Sequence, residues 1–247
     1  MKKDEVRMTE GKGNCRPVSR WAVPALLAVA AAFLASTGAA APPPMTAEFA
    51  FRWNPEEGGP KTPEDVLTAL GEPAPLPPDR YKVRYYDLQA PASAPEGARV
   101  VLRERTKSHG KTQFRLKYRL PQPLVGAWTC PPGEQFEPEE EVDVSIGVGG
   151  NATRVYSYAC TVQSPTPPRS LKGSPKPCWA GMKRHTSGDF KVEEWSMPGG
   201  GRILEISMPG TDTPEDLEKF QKAVGKLTER GARPSDRSKT DLGSACP

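Results

Sequence analysis

Basic side chains recur at alternate positions, interrupted only by Val101 and Gln113, in two neighbouring runs, residues 99–107 and 111–119, and such a row could bind an anion. The alternation is typical of two half-buried strands. A three-residue loop that ends at Gly110 would pair Arg103 with Arg115 and place the basic side chains of both strands on one face. A two-residue loop would mix the faces. Because like charges directly opposite each other repel, this face requires water, carboxylates or a bound anion over it.

Acidic side chains lie on the polar face of two other segments that alternate with the same period. In residues 139–146, Glu141 and Asp143 alternate with aliphatic residues, which predicts a strand with an acidic face. In residues 47–53, Glu48 shares a face with Arg52, while aromatic residues point the other way. These carboxylates could balance the arginines or supply the oxygen ligands that a hard divalent cation requires.

The N-terminal residues 1–39 have the pattern of a secretory signal peptide. Basic residues precede an apolar run from Trp21 to Ala35, and small residues follow it. The run is shorter than a membrane-spanning helix, which needs about 20 residues. We therefore expect a protein exported to the periplasm or the cell exterior, without a stable membrane span after cleavage. A retained N-terminal anchor is the alternative.

The net charge of +4 in the 247-residue chain comes mostly from this signal. Without residues 1–39, which contain six Lys and Arg and three Asp and Glu, the charge is about +1. The basic face is therefore local, and we expect a small anionic ligand and no specific nucleic acid. Residues 40–232 are long enough for one domain. Residues 233–247 form a polar tail, in which we expect Lys239 to be an ordinary surface residue.

Four cysteines remain after the signal, an even number that predicts two disulfides in an exported chain. They are Cys130, Cys160, Cys178 and Cys246. We favour Cys130 paired with Cys160 or Cys178, and Cys246 paired with the cysteine that is left. A zinc site is the weaker interpretation, because no CxxC spacing occurs and neither histidine is spaced as a ligand.

Helix signals occur at two places among the predicted strands. Residues 62–71 begin with a capping threonine and a proline and end at a glycine. A longer helix is expected after Thr213, with apolar residues spaced along one face. Many alternating strands with two helices predict an antiparallel α+β domain, which we expect to be a closed barrel or strongly curved sheet with helices outside.

The order of these elements resembles the CYTH superfamily, the triphosphate tunnel metalloenzymes. Residues 48–52, with the sequence EFAFR, are similar to the family's opening ExExK strand, with Ala50 in place of the second acid. The family's later EIE strand resembles residues 205–207, with Ser207 in place of an acid. Further short similarities cover Tyr85-Tyr86-Asp87, Leu102-Arg103-Glu104-Arg105, Arg115-Leu116-Lys117, Lys183-Arg184-His185 and Lys191-Val192-Glu193.

The resemblance implies a tunnel of roughly eight strands with a charged interior, of the kind that small barrels allow. Basic residues there bind a phosphate chain, and glutamates hold Mg²⁺ or Mn²⁺. It implies catalytic roles for Glu48 and Glu205, and metal ligation by Glu48, Glu193 and Glu205, with Glu141 or Asp143 as further ligands. The phosphate-binding residues that it implies are Arg52, Arg103, Arg105, Arg115, Lys117, Arg119, Lys183 and Arg184.

Three functions are consistent with these residues. The first is an exported, metal-dependent phosphohydrolase that acts on triphosphate, polyphosphate or another linear phosphoanion. The second is a non-catalytic tunnel of the same fold that binds an anion in the cell envelope, which the missing acids favour. The third is a structural envelope protein in which the basic face is merely solvated.

Overall fold

The computed structural model describes residues 44–247, so the predicted signal peptide lies outside the described residues. The strands are β1 (Thr46–Trp53), β2 (Asp79–Leu88), β3 (Arg99–Lys107), β4 (Thr112–Leu120), β5 (Glu137–Ile146), β6 (Ala152–Gln163), β7 (Gly173–Pro175), β8 (Ala180–Ser187), β9 (Phe190–Ser196) and β10 (Arg202–Thr211). The helices are α1 (Pro63–Leu70), α2 (Pro214–Thr228) and α3 (Lys239–Gly243).

Nine strands close into a mixed β-barrel, and the fold is α+β as expected. The strand order is β3-β4-β6-β5-β1-β10-β9-β8-β2, and pairing of β2 with β3 completes the ring. The short β7 adds to β2 outside the ring. Every ring pair is antiparallel except β1 with β5, which run parallel. The sheet is mixed because of this one parallel pairing. It places β1 between β10, its antiparallel partner, and β5, which is far from β1 in the sequence.

The β3–β4 hairpin has the register that the three-residue loop predicts. Arg103 lies opposite Arg115, and Arg99 lies opposite Arg119. The loop closes with a hydrogen bond from the Lys107 amide to the Lys111 carbonyl. The basic side chains of both strands therefore share one face, as predicted.

The hydrophobic core lies mainly outside the barrel wall, between the sheet and its covering elements. Phe49 of β1 packs against Phe220 of α2 with ring centroids 5.8 Å apart, and α1 joins the same cluster. Both helices start where predicted, with a threonine side chain that accepts a backbone N–H at each N-terminus. A second outer cluster lies under the loops that carry Trp128 and Leu171.

A smaller apolar cluster fills one end of the barrel interior. It is formed by Val83, Tyr85, Ala180, Met182, Trp195 and Ile203, and Leu242 of α3 packs against it. The side chain of Tyr85 approaches α3 so closely that a Cβ on Gly243 would lie 2.7 Å from the ring. The C-terminal segment is therefore packed into this end of the barrel.

Two disulfides are present, Cys130–Cys160 and Cys178–Cys246. This pairing is one of the two that we favoured from the sequence. The first joins β6 to the outer cluster, and the second attaches the end of the chain to the segment before β8. Within residues 44–247, the structure contains no helix that is both long enough and apolar enough to span a membrane.

Candidate anion-binding tunnel

The charged faces of the strands line a cavity of about 620 Å³ inside the barrel. Its wall carries ten Arg and Lys side chains against six Asp and Glu side chains. The basic residues are Arg52, Arg99, Arg103, Arg105, Arg115, Lys117, Arg119, Arg184, Lys191 and Lys239. The wall thus has more positive than negative charge, although the chain as a whole is nearly neutral after the predicted signal.

The acidic face of β5 balances the basic face of β4. Lys117 Nζ donates to Glu141 Oε1 over 2.8 Å and to Asp143 Oδ1 over 2.9 Å, and Arg115 also contacts Glu141 over 2.9 Å. Burial disfavours the ionised form of Asp143, but the charges of Lys117 and Arg119 outweigh burial and lower its pKa to about 2. Asp143 is therefore an ionised counter-charge at neutral pH.

Two arginines of β3 lack such a counter-charge. Within the described part of the chain, neither Arg103 nor Arg105 has a carboxylate partner, and Arg103 Nε is buried without a hydrogen bond. Arg105 donates to Gln113 Oε1 over 2.8 Å. Burial, reinforced by the charges of Arg103 and Arg184, lowers the pKa of Arg105 to about 10, so that it stays protonated at neutral pH. Burial lowers the pKa of Arg103 as well, and both guanidinium groups line the cavity.

Lys191 is a third basic residue on the wall that has no carboxylate partner among residues 44–247. In the sequence, Lys191 occurs within the short Lys191-Val192-Glu193 motif, and no anion-binding role is predicted for it. Alternation along β9 could have assigned it, because Lys191 and Glu193 are two residues apart and share the inner face.

Glu193 and Glu205 are the most buried acids on the wall, with exposures of 5% and 1%. Arg184 Nη2 donates to Glu193 over 2.6 Å, and Arg52 Nε donates to Glu205 over 2.9 Å. Lys239 Nζ lies between the two carboxylates, 2.8 Å from Glu193 Oε2 and 2.5 Å from Glu205 Oε1. Burial disfavours the charged form of Lys239, but the charges of Glu193 and Glu205 outweigh burial and raise the pKa of the lysine.

This position of Lys239 corrects the expectation that it is an ordinary surface residue. The preceding Ser238 caps α3 through the Asp241 backbone N–H, and Arg119 donates to the Thr240 hydroxyl over 3.3 Å. The side chain of Asp241 accepts from Arg99. No local pattern in the polar tail predicts these contacts, and the only signal for them in the sequence is Cys246, which had to be close to another cysteine.

The side chain of Glu48 forms no hydrogen bond or ion pair with any residue in the range 44–247. Its carboxylate, Glu141 and Asp143 place one ligand oxygen each within 4.8 Å of one another. Burial raises the pKa of Glu48, and the charges of Glu205, Glu141 and Glu193 act in the same direction while Lys239 opposes them. Three carboxylates are a donor set that fits Mg²⁺ or Mn²⁺, and a metal ion at this triad would have to displace Lys117 Nζ, which contacts both Glu141 and Asp143.

The predicted metal ligands are thus divided between two places. Glu48 belongs to the triad and has no cation partner among residues 44–247, whereas Glu193 and Glu205 are neutralised by Lys239 and by arginines. A divalent cation does not fit at the Glu193–Glu205 pair while the ammonium group lies there, because both groups require the same carboxylate oxygens.

The structure brings all but one of the predicted phosphate-binding residues to the cavity. The exception is Lys183, whose neighbour Arg184 points inward. Lys183 donates to Glu194 Oε2 over 2.8 Å, away from the cavity wall. The two-residue period of a strand explains the difference, because adjacent side chains point to opposite faces.

No family model matches the chain, and no curated protein matches it. Among solved structures, the PH1012 protein from Pyrococcus horikoshii is similar, with 16% identity, a TM-score of 0.44, and coverage of 80% of this chain and 99% of that one. A protein from Vibrio parahaemolyticus that has been proposed as an adenylate cyclase shows 13% identity and a TM-score of 0.41, with coverage of 82% and 99%. A conserved hypothetical protein from Pyrococcus furiosus shows 14% identity and a TM-score of 0.43, with coverage of 79% and 99%. Similarity at this level assigns no activity.

Proposed function

We propose that the tunnel binds a small linear phosphoanion such as triphosphate or a short polyphosphate. The observation that carries this proposal is Arg103, which has no ion-pair partner among residues 44–247 and whose Nε is buried without a hydrogen bond, next to Arg105 on a wall with more basic than acidic groups. An uncompensated buried charge is costly, and a bound anion would remove that cost. Arginine suits the task because its planar donors match phosphoryl oxygens.

The placement of the charge supports a small ligand. The basic side chains point into a cavity of about 620 Å³, which lies within the ~300–1,000 Å³ of typical ligand pockets. A nucleic-acid surface would instead present its charge as an accessible outer stripe. The resemblance of the chain to the CYTH superfamily, and the two disulfides expected of an exported protein, are consistent with a phosphoanion-binding tunnel in the cell envelope.

Thermal unfolding with triphosphate in EDTA tests the proposal. A ligand that binds only the folded state stabilises it by about 2.7 kcal/mol at a hundredfold excess over its Kd, so the melting temperature of the parent protein should rise. Arg103→Met keeps the length of the side chain but removes the charge, and it should abolish most of this shift. It should also raise the melting temperature of the unliganded protein, because it removes the repulsion from Arg115.

Arg80→Met is the matched control, because Arg80 is an exposed residue of β2. A solvated face predicts a different result, in which sulfate and triphosphate at equal ionic strength give equal shifts and Arg103→Met behaves like Arg80→Met. That result would reject the proposal. Lys183→Met should also leave the shift unchanged, since its side chain is paired with Glu194 outside the cavity.

A metal-dependent phosphohydrolase is the second candidate, and the triad of Glu48, Glu141 and Asp143 is the observation that favours it. A bound Mg²⁺ or Mn²⁺ would neutralise phosphoryl charge and lower the pKa of its water. Release of phosphate from triphosphate with Mn²⁺, and its loss in Glu48→Gln, would establish catalysis. Triphosphate binding without release would leave the tunnel as a binding module.

A further inference from the structure

Lys239 supplies the counter-charge for two carboxylates that are too buried for water to neutralise. Its Nζ contacts both Glu193 and Glu205, and its charge lies over the Trp195 ring, 5.3 Å from the centroid. Removing one partner from such a buried group of charges is costly, because the remaining charges are left uncompensated. The folded barrel therefore requires a positive charge next to the Glu193 and Glu205 carboxylates.

The chain holds the lysine in place from both sides. Ser238 precedes it and caps α3, while Leu242 packs against the apolar cluster at the end of the barrel. The segment then ends at the Cys178–Cys246 disulfide. The ammonium group is thus a fixed part of the cavity wall.

An ammonium group placed this way is positively charged, as a metal ion is, and it keeps one N–H donor with which it can bind a ligand. Lysine has three N–H donors, of which Glu193 and Glu205 use two. No acceptor within residues 44–247 takes the third, and Lys239 lines the cavity. A divalent cation between two glutamates would likewise keep coordination positions free for ligand oxygens.

We propose that Lys239 takes the place of a divalent cation at the Glu193–Glu205 pair and donates its third N–H to the bound phosphoanion. The first part concerns only this chain's own side chains. The second part rests on the proposed function. The tunnel would then bind an anion at this pair without a metal ion.

Mn²⁺ binding to the variant Lys239→Ala tests the first part, by isothermal titration calorimetry and by the loss of the free Mn²⁺ electron paramagnetic resonance signal. Removal of the ammonium should create one more Mn²⁺ site than the parent protein has, because Glu193 and Glu205 are left without their shared cation. The double variant Lys239→Ala/Glu193→Gln should lose this extra site. Any site at the Glu48 triad is present in all three proteins and cancels in the comparison.

Lys239→Met is a second variant that retains the apolar stem of the side chain, so that a folding defect of the alanine variant does not decide the outcome. Lys222→Ala is the matched control, because the Lys222 side chain is 73% exposed on α2. An extra Mn²⁺ site in either Lys239 variant, and none in Lys222→Ala, supports the proposal. Equal Mn²⁺ stoichiometry in folded Lys239 variants and in the parent would overturn it.

Triphosphate affinity in EDTA and in Mn²⁺ tests the second part. The parent should bind triphosphate in EDTA, Lys239→Met should bind at least about tenfold more weakly, and Mn²⁺ should restore most of the lost affinity in the variant. Equal affinity of parent and variant in EDTA would refute the contact between Lys239 and the anion. If the parent binds no triphosphate at all, the proposed function fails, while the Mn²⁺ stoichiometry still decides whether Lys239 replaces a cation.

Discussion

Ala50 and Ser207 are register partners across the β1–β10 pair. They are the two positions at which the sequence lacks the acids of the motifs it resembles. Because the positions face each other, the wall carries no acid at a single place, between Glu48 and the Glu205–Lys239 pair. The acids that remain are held by the protein's own cations, with Glu48 as the exception among residues 44–247.

Ala50→Glu should make the stability of the folded protein more dependent on a divalent cation. A carboxylate at this position adds a like charge near Glu48, so we expect a loss of up to about 3 kcal/mol in the free energy of unfolding in EDTA. Mn²⁺ should reverse much of this loss. Urea unfolding with and without Mn²⁺ measures both effects.

Ala50→Gln is the control for the larger side chain, because it has the same size as Glu without the charge. Its stability should not respond to Mn²⁺ more than that of the parent. A Mn²⁺ response of equal size in both variants would show that the effect is not one of charge at this position.

Glu48→Gln should stabilise the protein at neutral pH in EDTA, and the gain should vanish in acid. Burial raises the pKa of Glu48 in the folded state, so between the unfolded-state and folded-state pKa values the folded protein retains a proton that the unfolded chain has released. This costs stability as the pH rises above the ordinary glutamate pKa. Below that pKa the carboxyl is protonated in both states, and the glutamine and the parent should be equally stable.

Urea unfolding of both proteins at pH 7 and at pH 4 measures this difference. Glu96→Gln, at an exposed site in the loop before β3, is the control and should show no pH-dependent gain. A gain for Glu48→Gln that is the same at both pH values would contradict the charge explanation.

Residues 44–247 should contain no free thiol, because all four cysteines are in disulfides. Each bridge closes a loop of tens of residues and should contribute about 2–4 kcal/mol to the free energy of unfolding. Titration of the denatured, non-reduced protein with a thiol reagent should find none of these four cysteines reactive.

Cys178→Ser/Cys246→Ser should also weaken triphosphate binding, since it releases the segment that carries Lys239, whereas Cys130→Ser/Cys160→Ser should affect stability alone.

Gly243→Ala should destabilise the protein by about 1–3 kcal/mol, the usual cost of overpacking. The added Cβ would lie 2.7 Å from Tyr85 Cε2, and the buried ring has little room to move. Gly225→Ala in α2 is the matched control, because a Cβ there meets no atom within 4 Å. It should instead gain about 0.5–1 kcal/mol from helix propensity. Thermal unfolding of the two variants checks the opposite signs, and equal effects would argue against close packing of the tail.

Local patterns in the sequence determined the elements and the hairpin register. Loop length and alternation were sufficient to pair Arg103 with Arg115, since a shift of one residue would have moved every side chain to the other face. The capping threonines placed the starts of α1 and α2, because a cap depends on residues within one turn. The even number of cysteines limited the disulfides to a few pairings, of which the structure contains one that was favoured.

Tertiary structure alone decided what each charged face meets. A two-residue period separates the two faces of a strand but does not tell which face lines a closed barrel, and it could not show that Lys183 points away from the cavity while Arg184 points into it. The parallel pairing of β1 with β5 joins strands that are far apart in the chain. Lys239 shows this limit most clearly, because its partners Glu193 and Glu205 lie on other strands and only the folded tail brings a lysine of ordinary sequence context between them.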